Sequence, residues 1–232
     1  MSGMPMELVE RTRSSVVRNK CLIAGALAVA LLVMAVGANI LLTPGTIMYG
    51  DFNTPREMDR FELYPMWTPF GHYTNTDKAD RLLGFGVPVS LAIALGLATE
   101  AFIKMMVLGT LLMAGLSSYL VSFWIGRRKF PRTSERAVCV AAFTVSVIYM
   151  LSPWSMNRIE HFFLWTGYAL APLILVGAMK GLEDHDVKTL ALTGFLWTVA
   201  STSAHYTIFL FMLVLGALIY QNPLRARWPQ RI

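Results

Sequence analysis

Charge is scarce in this chain. Only 15% of its 232 residues are Asp, Glu, Lys or Arg, against roughly 25% in a typical water-soluble domain. That shortage excludes an ordinary soluble enzyme, and long apolar blocks exclude a disordered chain. Cysteine is scarcer still: Cys21 and Cys139 are the only two. They lie at or inside apolar stretches, lack metal-ligand spacing and read as small packing residues. There is also no Gly-rich phosphate loop, Gly-x-Ser-x-Gly elbow, His-Glu-x-x-His or Cys-x-x-Cys. Nucleotide-binding, serine-hydrolase and zinc-enzyme readings therefore have no residues to stand on.

What is abundant is apolar sequence: 55% of residues are hydrophobic and mean hydropathy is +0.53. The run Leu22–Leu42 has the roughly 20 residues that a helix needs to cross a bilayer. Arg11, Arg13, Arg18 and Lys20 precede it, and no small-x-small cleavage site closes it, so it reads as an uncleaved anchor with a cytoplasmic N-terminus. Residues Leu82–Ala98, with Gly84, Gly86 and Pro88, read as an interfacial helix on the outer face. Further spans are expected at Phe102–Ile125, Ala137–Leu151, Phe162–Met179, Leu190–Ala200 and Tyr206–Tyr220, the last two short. This predicts an all-α polytopic transmembrane bundle of about six spans. It has a cytoplasmic basic N-terminus (1–20), an outer first loop (44–81) containing short interfacial helices, and a cytoplasmic basic tail (222–232). By this topology about 14 of the 20 Lys and Arg residues fall inside and about 6 outside, in line with the positive-inside bias. The net charge of +6 thus marks orientation in a cell membrane, and no nucleic-acid partner is expected.

The polar segment 44–81 carries the most chemical information, since connections that long are usually functional. It interleaves acidic and basic residues with Tyr49, Tyr64, Trp67, Phe70 and Tyr73, as expected at headgroup depth. Asp51 follows the first span within a few residues, where a carboxylate can serve a lipid-linked substrate as general base or divalent-metal ligand. The plain alternative is a solvated loop hugging the interface. Arg158, Glu160 and His161 sit where an outer turn re-enters the membrane. There Arg158 can hold a lipid phosphate, or the group can simply cap a helix. His205 and Tyr206 lie in an outer turn that can line the same cavity or be merely interfacial. Glu100 and Lys104, at i,i+4 spacing, are expected to pair at a span boundary. His72, Asn75 and Asp77 match no metal spacing, and Glu183-Asp184-His185-Asp186 reads as a solvated inner turn.

A first span followed by an outer Gly50-Asp51 and then Trp67-Thr68-Pro69-Phe70-Gly71 resembles the GT-C superfamily of polyprenyl-phosphate-sugar-dependent membrane glycosyltransferases. The similarity extends to its arabinofuranosyltransferase-like and YfhO-type members. Ser118-Tyr119-Leu120, Arg127-Arg128, Ala141-Ala142, Tyr149-Met150-Leu151-Ser152-Pro153 and Gly167-Tyr168-Ala169-Leu170-Ala171-Pro172-Leu173 continue it over about residues 20 to 220. The resemblance implies a polyprenyl-phosphate-linked sugar as donor and transfer on the outer face with inversion. It makes Asp51 the catalytic base or the ligand of a divalent cation, Mg or Mn. Arg158, His161, His205, Tyr206 and Trp67 are the expected substrate-binding residues. Members of that superfamily are generally longer, so the chain is expected to be an N-terminal membrane module or a reduced relative. The competing reading is a non-catalytic subunit or scaffold packing against membrane-protein partners, compatible with small residues at Gly25, Ala26, Ala30, Gly109, Ala114 and Gly115.

Overall fold

The computed structural model describes residues 6–44, 87–157, 162–201 and 204–221. Among these residues the chain is all-helical, without strands. The helices are α1 (Met6–Leu42), α2 (Val87–Ala94), α3 (Thr99–Lys129), α4 (Glu135–Met150), α5 (Pro153–Asn157), α6 (Phe162–Glu183), α7 (Val187–Ala200) and α8 (Ala204–Gln221). Four segments are long and apolar enough to cross a membrane: Asn19–Leu42, Glu100–Lys129, Glu135–Asn157 and Trp165–Glu183. The expected last hairpin is present as α7, of 14 residues, and α8, whose apolar stretch is Thr207–Ala217.

Local chemistry sets the boundaries. No Gly or Pro interrupts Met6–Ala24, so α1 continues through the basic segment about 20 Å beyond the apolar span. The interfacial helix expected over 82–98 is helical over Val87–Ala94, and Gly96 breaks it with φ 65°. Arg127, Arg128 and Lys129 occupy the last turn of α3, where cations favour the helix dipole. Ser134 caps α4, its Oγ accepting from Ala137 N at 3.3 Å. The outer turn expected after α4 contains the short helix α5, begun by Pro153, whose missing N–H costs nothing at a first helical position.

Helix α3 is the axis of the bundle. Of the most apolar window of each span, 61% is buried in α3 and 50% in α6, against 17% in α1 and 22% in the α4 segment. Lipid tails are as apolar as the side chains they would meet, so close packing and hydrogen bonds must hold such helices together. Ser146 Oγ donates to Gly115 O at 2.7 Å, joining α4 to α3, and Ser117 Oγ donates to Ala169 O at 2.6 Å, joining α3 to α6. A Cβ at Gly115 would lie 2.6 Å from Val29 Cγ1 and 3.0 Å from Met150 Sδ. The bare backbone there lets α1, α3 and α4 converge.

Candidate functional site

Successive long helices alternate in direction, which sorts the connections to two ends. Residues Thr43, Glu100, Ser152, Ser155, Trp165 and Ser201 lie towards one end. Arg127, Arg128, Glu135, Lys180 and Glu183 lie towards the other.

At the Thr43 end the most expensive group is Lys104, only 7% exposed. Its Nζ donates to Thr43 O at 2.6 Å and to Glu100 Oε1 at 2.5 Å. The ammonium is therefore held between the last carbonyls of α1 and the first turn of α3, and the Glu100–Lys104 pair forms as its spacing predicts. The reach to Thr43, 61 residues away in sequence, is new. Beneath it Val33, Ala92, Phe102, Ile103, Met150 and Trp165 form a closed apolar cluster.

A polar and aromatic assembly lies beside it. Pro172 sits inside α6 and has no N–H, so the carbonyl of Tyr168 lacks its intrahelical donor. The carbonyl of Tyr149 lies in the last turn of α4, where no intrahelical donor reaches it, and Pro153 beyond it offers no N–H either. Each tyrosine satisfies the other: Tyr149 Oη donates to Tyr168 O at 2.7 Å, and Tyr168 Oη donates to Tyr149 O at 2.9 Å. Their rings stack at 4.1 Å with 4° between planes. Exposed Trp154 tilts against Tyr168 at 4.6 Å. Trp165 Nε1 donates to Ser155 Oγ at 2.9 Å, and Ser155 N to Ser152 Oγ at 3.1 Å. Both Tyr-x-x-x-Pro segments are visible in the sequence, but the exchange between them is not. The signal was the repeated four-residue offset between tyrosine and proline.

Of the expected site residues, Asp51, Trp67, Arg158 and His161 lie outside the described residues, as do His72, Asn75 and Asp77. His205 and Tyr206 fall in the first turn of α8, and their side chains lie outside the described residues too. The described residues next in sequence to Arg158, His161 and His205, namely Asn157, Phe162 and Ala204, belong to helix ends on the Thr43 side. Ser201 Oγ, at the end of α7, is buried with no hydrogen-bond partner among the described residues. Among the described residues no group of three or more His, Cys, Asp or Glu could hold a metal ion.

At the opposite end a groove of about 640 Å³ lies between α1, α3 and α6, lined by Leu22, Phe123, Trp124, Arg127, Arg128 and Lys180 among others. Its basic groups are largely engaged. Arg127 pairs with Glu135 at 2.9 Å, and Arg128 pairs with Glu183 and lies 5.3 Å over the Trp124 ring. Residues 183–186 form the expected exposed turn, with His185 at φ 52°, although Glu183 is tied to Arg128. Asp186 caps α7. Hydrogen bonds from Thr189 Oγ1 at 2.6 Å and Lys188 N at 3.0 Å hold its carboxyl below the ordinary aspartate value.

No family model, curated protein or solved structure matches the chain.

Proposed function

We propose that the chain is a multi-pass membrane glycosyltransferase, or the N-terminal module of one, that takes a sugar from a polyprenyl-phosphate donor at the Thr43 end of the bundle. What supports this reading is that the helix ends next in sequence to Arg158, His161, His205 and Tyr206 lie at the same end of the bundle as Thr43, which precedes Asp51 by eight residues. An exposed Trp154 beside Tyr168 supports it, because an aromatic face suits a sugar ring.

In this mechanism Arg158 neutralises the donor phosphate by charge-assisted hydrogen bonds. Asp51 takes the proton from the acceptor hydroxyl; alternatively it would hold a divalent cation, Mg or Mn, which would supply positive charge to the site. His161, His205, Tyr206 and Trp67 position donor and acceptor. The Thr43 end faces outward in the cell membrane, with both termini cytoplasmic, so the basic rim at Arg127, Arg128 and Arg132 faces inward. A general base supplies about 10²–10⁴-fold in rate. Asp51→Asn in membranes given radiolabelled polyprenyl-phosphate sugars should therefore lose transfer by that factor while inserting normally. Transfer at the wild-type rate would remove Asp51 from the mechanism.

A second reading, a non-catalytic subunit or scaffold for membrane-protein partners, draws on the outward apolar face of α1 and the open space around Gly109. Gly25 and Gly115 no longer argue for it, because contacts within the chain occupy them. Purification only with a second membrane protein, with no binding of lipid-linked sugar, would decide for this reading.

A further inference from the structure

The chain's two cysteines were expected to be unrelated packing residues, yet they meet at one point near the Arg128 end. Tyr119 of α3 is fully buried and touches both. Its Oη donates to Cys21 O at 3.1 Å and lies 3.4 Å from Cys139 Sγ. One tyrosine hydroxyl thus touches the Cys21 backbone and the Cys139 sulfur together, which brings residues 21 and 139 side by side across the α1–α4 seam.

The register of α1 makes this meeting a consequence of packing. Residues four apart share a helix face, so Cys21, Gly25 and Val29 form one stripe. A side chain at Gly25 would collide with the Tyr119 ring. Val29 is fully buried in the apolar cluster against which Cys139 packs. Turning Cys21 away from Cys139 would lift that whole stripe off α3 and α4.

Both cysteines are partly exposed residues. Cys21 is two residues from Asn19 and Cys139 four from Glu135, the residues at which their apolar spans begin. They therefore sit near the ends of their spans, towards the rim of the bundle.

We propose that Cys21 and Cys139 are a redox-active pair that closes to an intramolecular disulfide between α1 and α4 on meeting a low-molecular-weight disulfide. One cysteine loses its proton and attacks the small disulfide, forming a mixed disulfide and releasing one small thiol. The other loses its proton and attacks the protein sulfur of that mixed disulfide, releasing the second small thiol. Two protein thiols are oxidised by two electrons, and one small disulfide is reduced to two thiols. The product covalently fastens α1, the least buried of the four spans, beside the axis of the bundle. The inference is independent of the proposed transfer reaction.

The test treats the full chain in membrane vesicles with oxidised glutathione. It counts free thiols by a maleimide mass tag and maps peptides without reduction. The expected result is loss of both thiols together, one peptide pair joining residues 21 and 139 in a monomer, and reversal by dithiothreitol. Cys21→Ser and Cys139→Ser should each stop at a mixed disulfide carrying one glutathione. Two glutathiones on the wild-type chain, disulfide-linked dimers, or two thiols unreacted in excess oxidant would each overturn the proposal.

Discussion

The exchange between the two tyrosines can be dissected by giving one carbonyl its backbone donor back. In the wild type, Tyr168 O depends on the Tyr149 hydroxyl because position 172 has no N–H. Tyr149→Phe keeps the stacked ring but deletes that donor. An orphaned buried carbonyl costs about 1–3 kcal/mol, whereas interhelical hydrogen bonds in membranes average about 0.6 and reach about 1.7 kcal/mol. Since both tyrosines are half-buried, we expect Tyr149→Phe to cost about 1.5 kcal/mol. In a Pro172→Ala background the new N–H can serve Tyr168 O, and the same change should cost about 0.5 kcal/mol or less, a coupling of about 1 kcal/mol. Tyr168→Phe is the control. Its hydroxyl serves the Tyr149 carbonyl at the end of α4, so its cost should be the same with Pro172 or Ala at that position. The assay is reversible unfolding of the detergent-solubilised chain by titration with sodium dodecyl sulfate, followed by circular dichroism. Equal costs for Tyr149→Phe in the two backgrounds would refute the reasoning.

Three further outcomes follow from the same packing. Glu100→Gln should destabilise the bundle by about 2 kcal/mol, because it leaves the buried Lys104 ammonium without its paired negative charge, while Lys104→Met should cost only about 1 kcal/mol. The Glu100 carboxylate is 41% exposed and stays hydrated in Lys104→Met, so the double variant should be no less stable than Lys104→Met, and the unfolding assay above reads all three. Gly25→Leu should cost about 1–3 kcal/mol by overpacking against Tyr119, and Gly109→Leu, with nothing within 4 Å, should be neutral or slightly stabilising in the same assay. The carboxyl of Asp186 is held below its usual value of 3.8. Its stabilisation is thus present above that pH and lost as pH falls through the lower folded value, so melting curves of wild type and Asp186→Ala should differ at pH 7 and merge well below pH 3.8.

Much of the fold was legible because each span is a long apolar run closed by a chemical stop. The split at Thr99-Glu100, the Arg-rich end of α3 and the turn at residues 183–186 all announce themselves locally, whereas the capping role of Asp186 emerges only from the structure. Where bounds differed, as in α1 extending back to Met6, the charged residues preceding the span are themselves acceptable helix formers. What could not be read were contacts between helices. Nothing near Lys104 points to Thr43, and nothing near Cys21 points to Cys139, because such partners are chosen by the rotation of one helix against another. The carbonyls of Tyr149 and Tyr168 were the intermediate case. Their orphaning is written in the prolines, but only the packed bundle shows who satisfies them. The long loop holding Asp51 was visible as a polar, aromatic segment, and its chemistry rests on residue type and resemblance.

The central claim is that the proposed site residues gather at one end of the bundle, on the outer side of the membrane. Single cysteines introduced as Asp51→Cys, Arg158→Cys and His205→Cys, in a Cys21→Ser, Cys139→Ser background, test it through labelling of intact cells with a membrane-impermeant maleimide. The account predicts that all three label from outside, while Arg132→Cys and Asp184→Cys label only after permeabilisation. Any one of the first three reacting only after permeabilisation would contradict it.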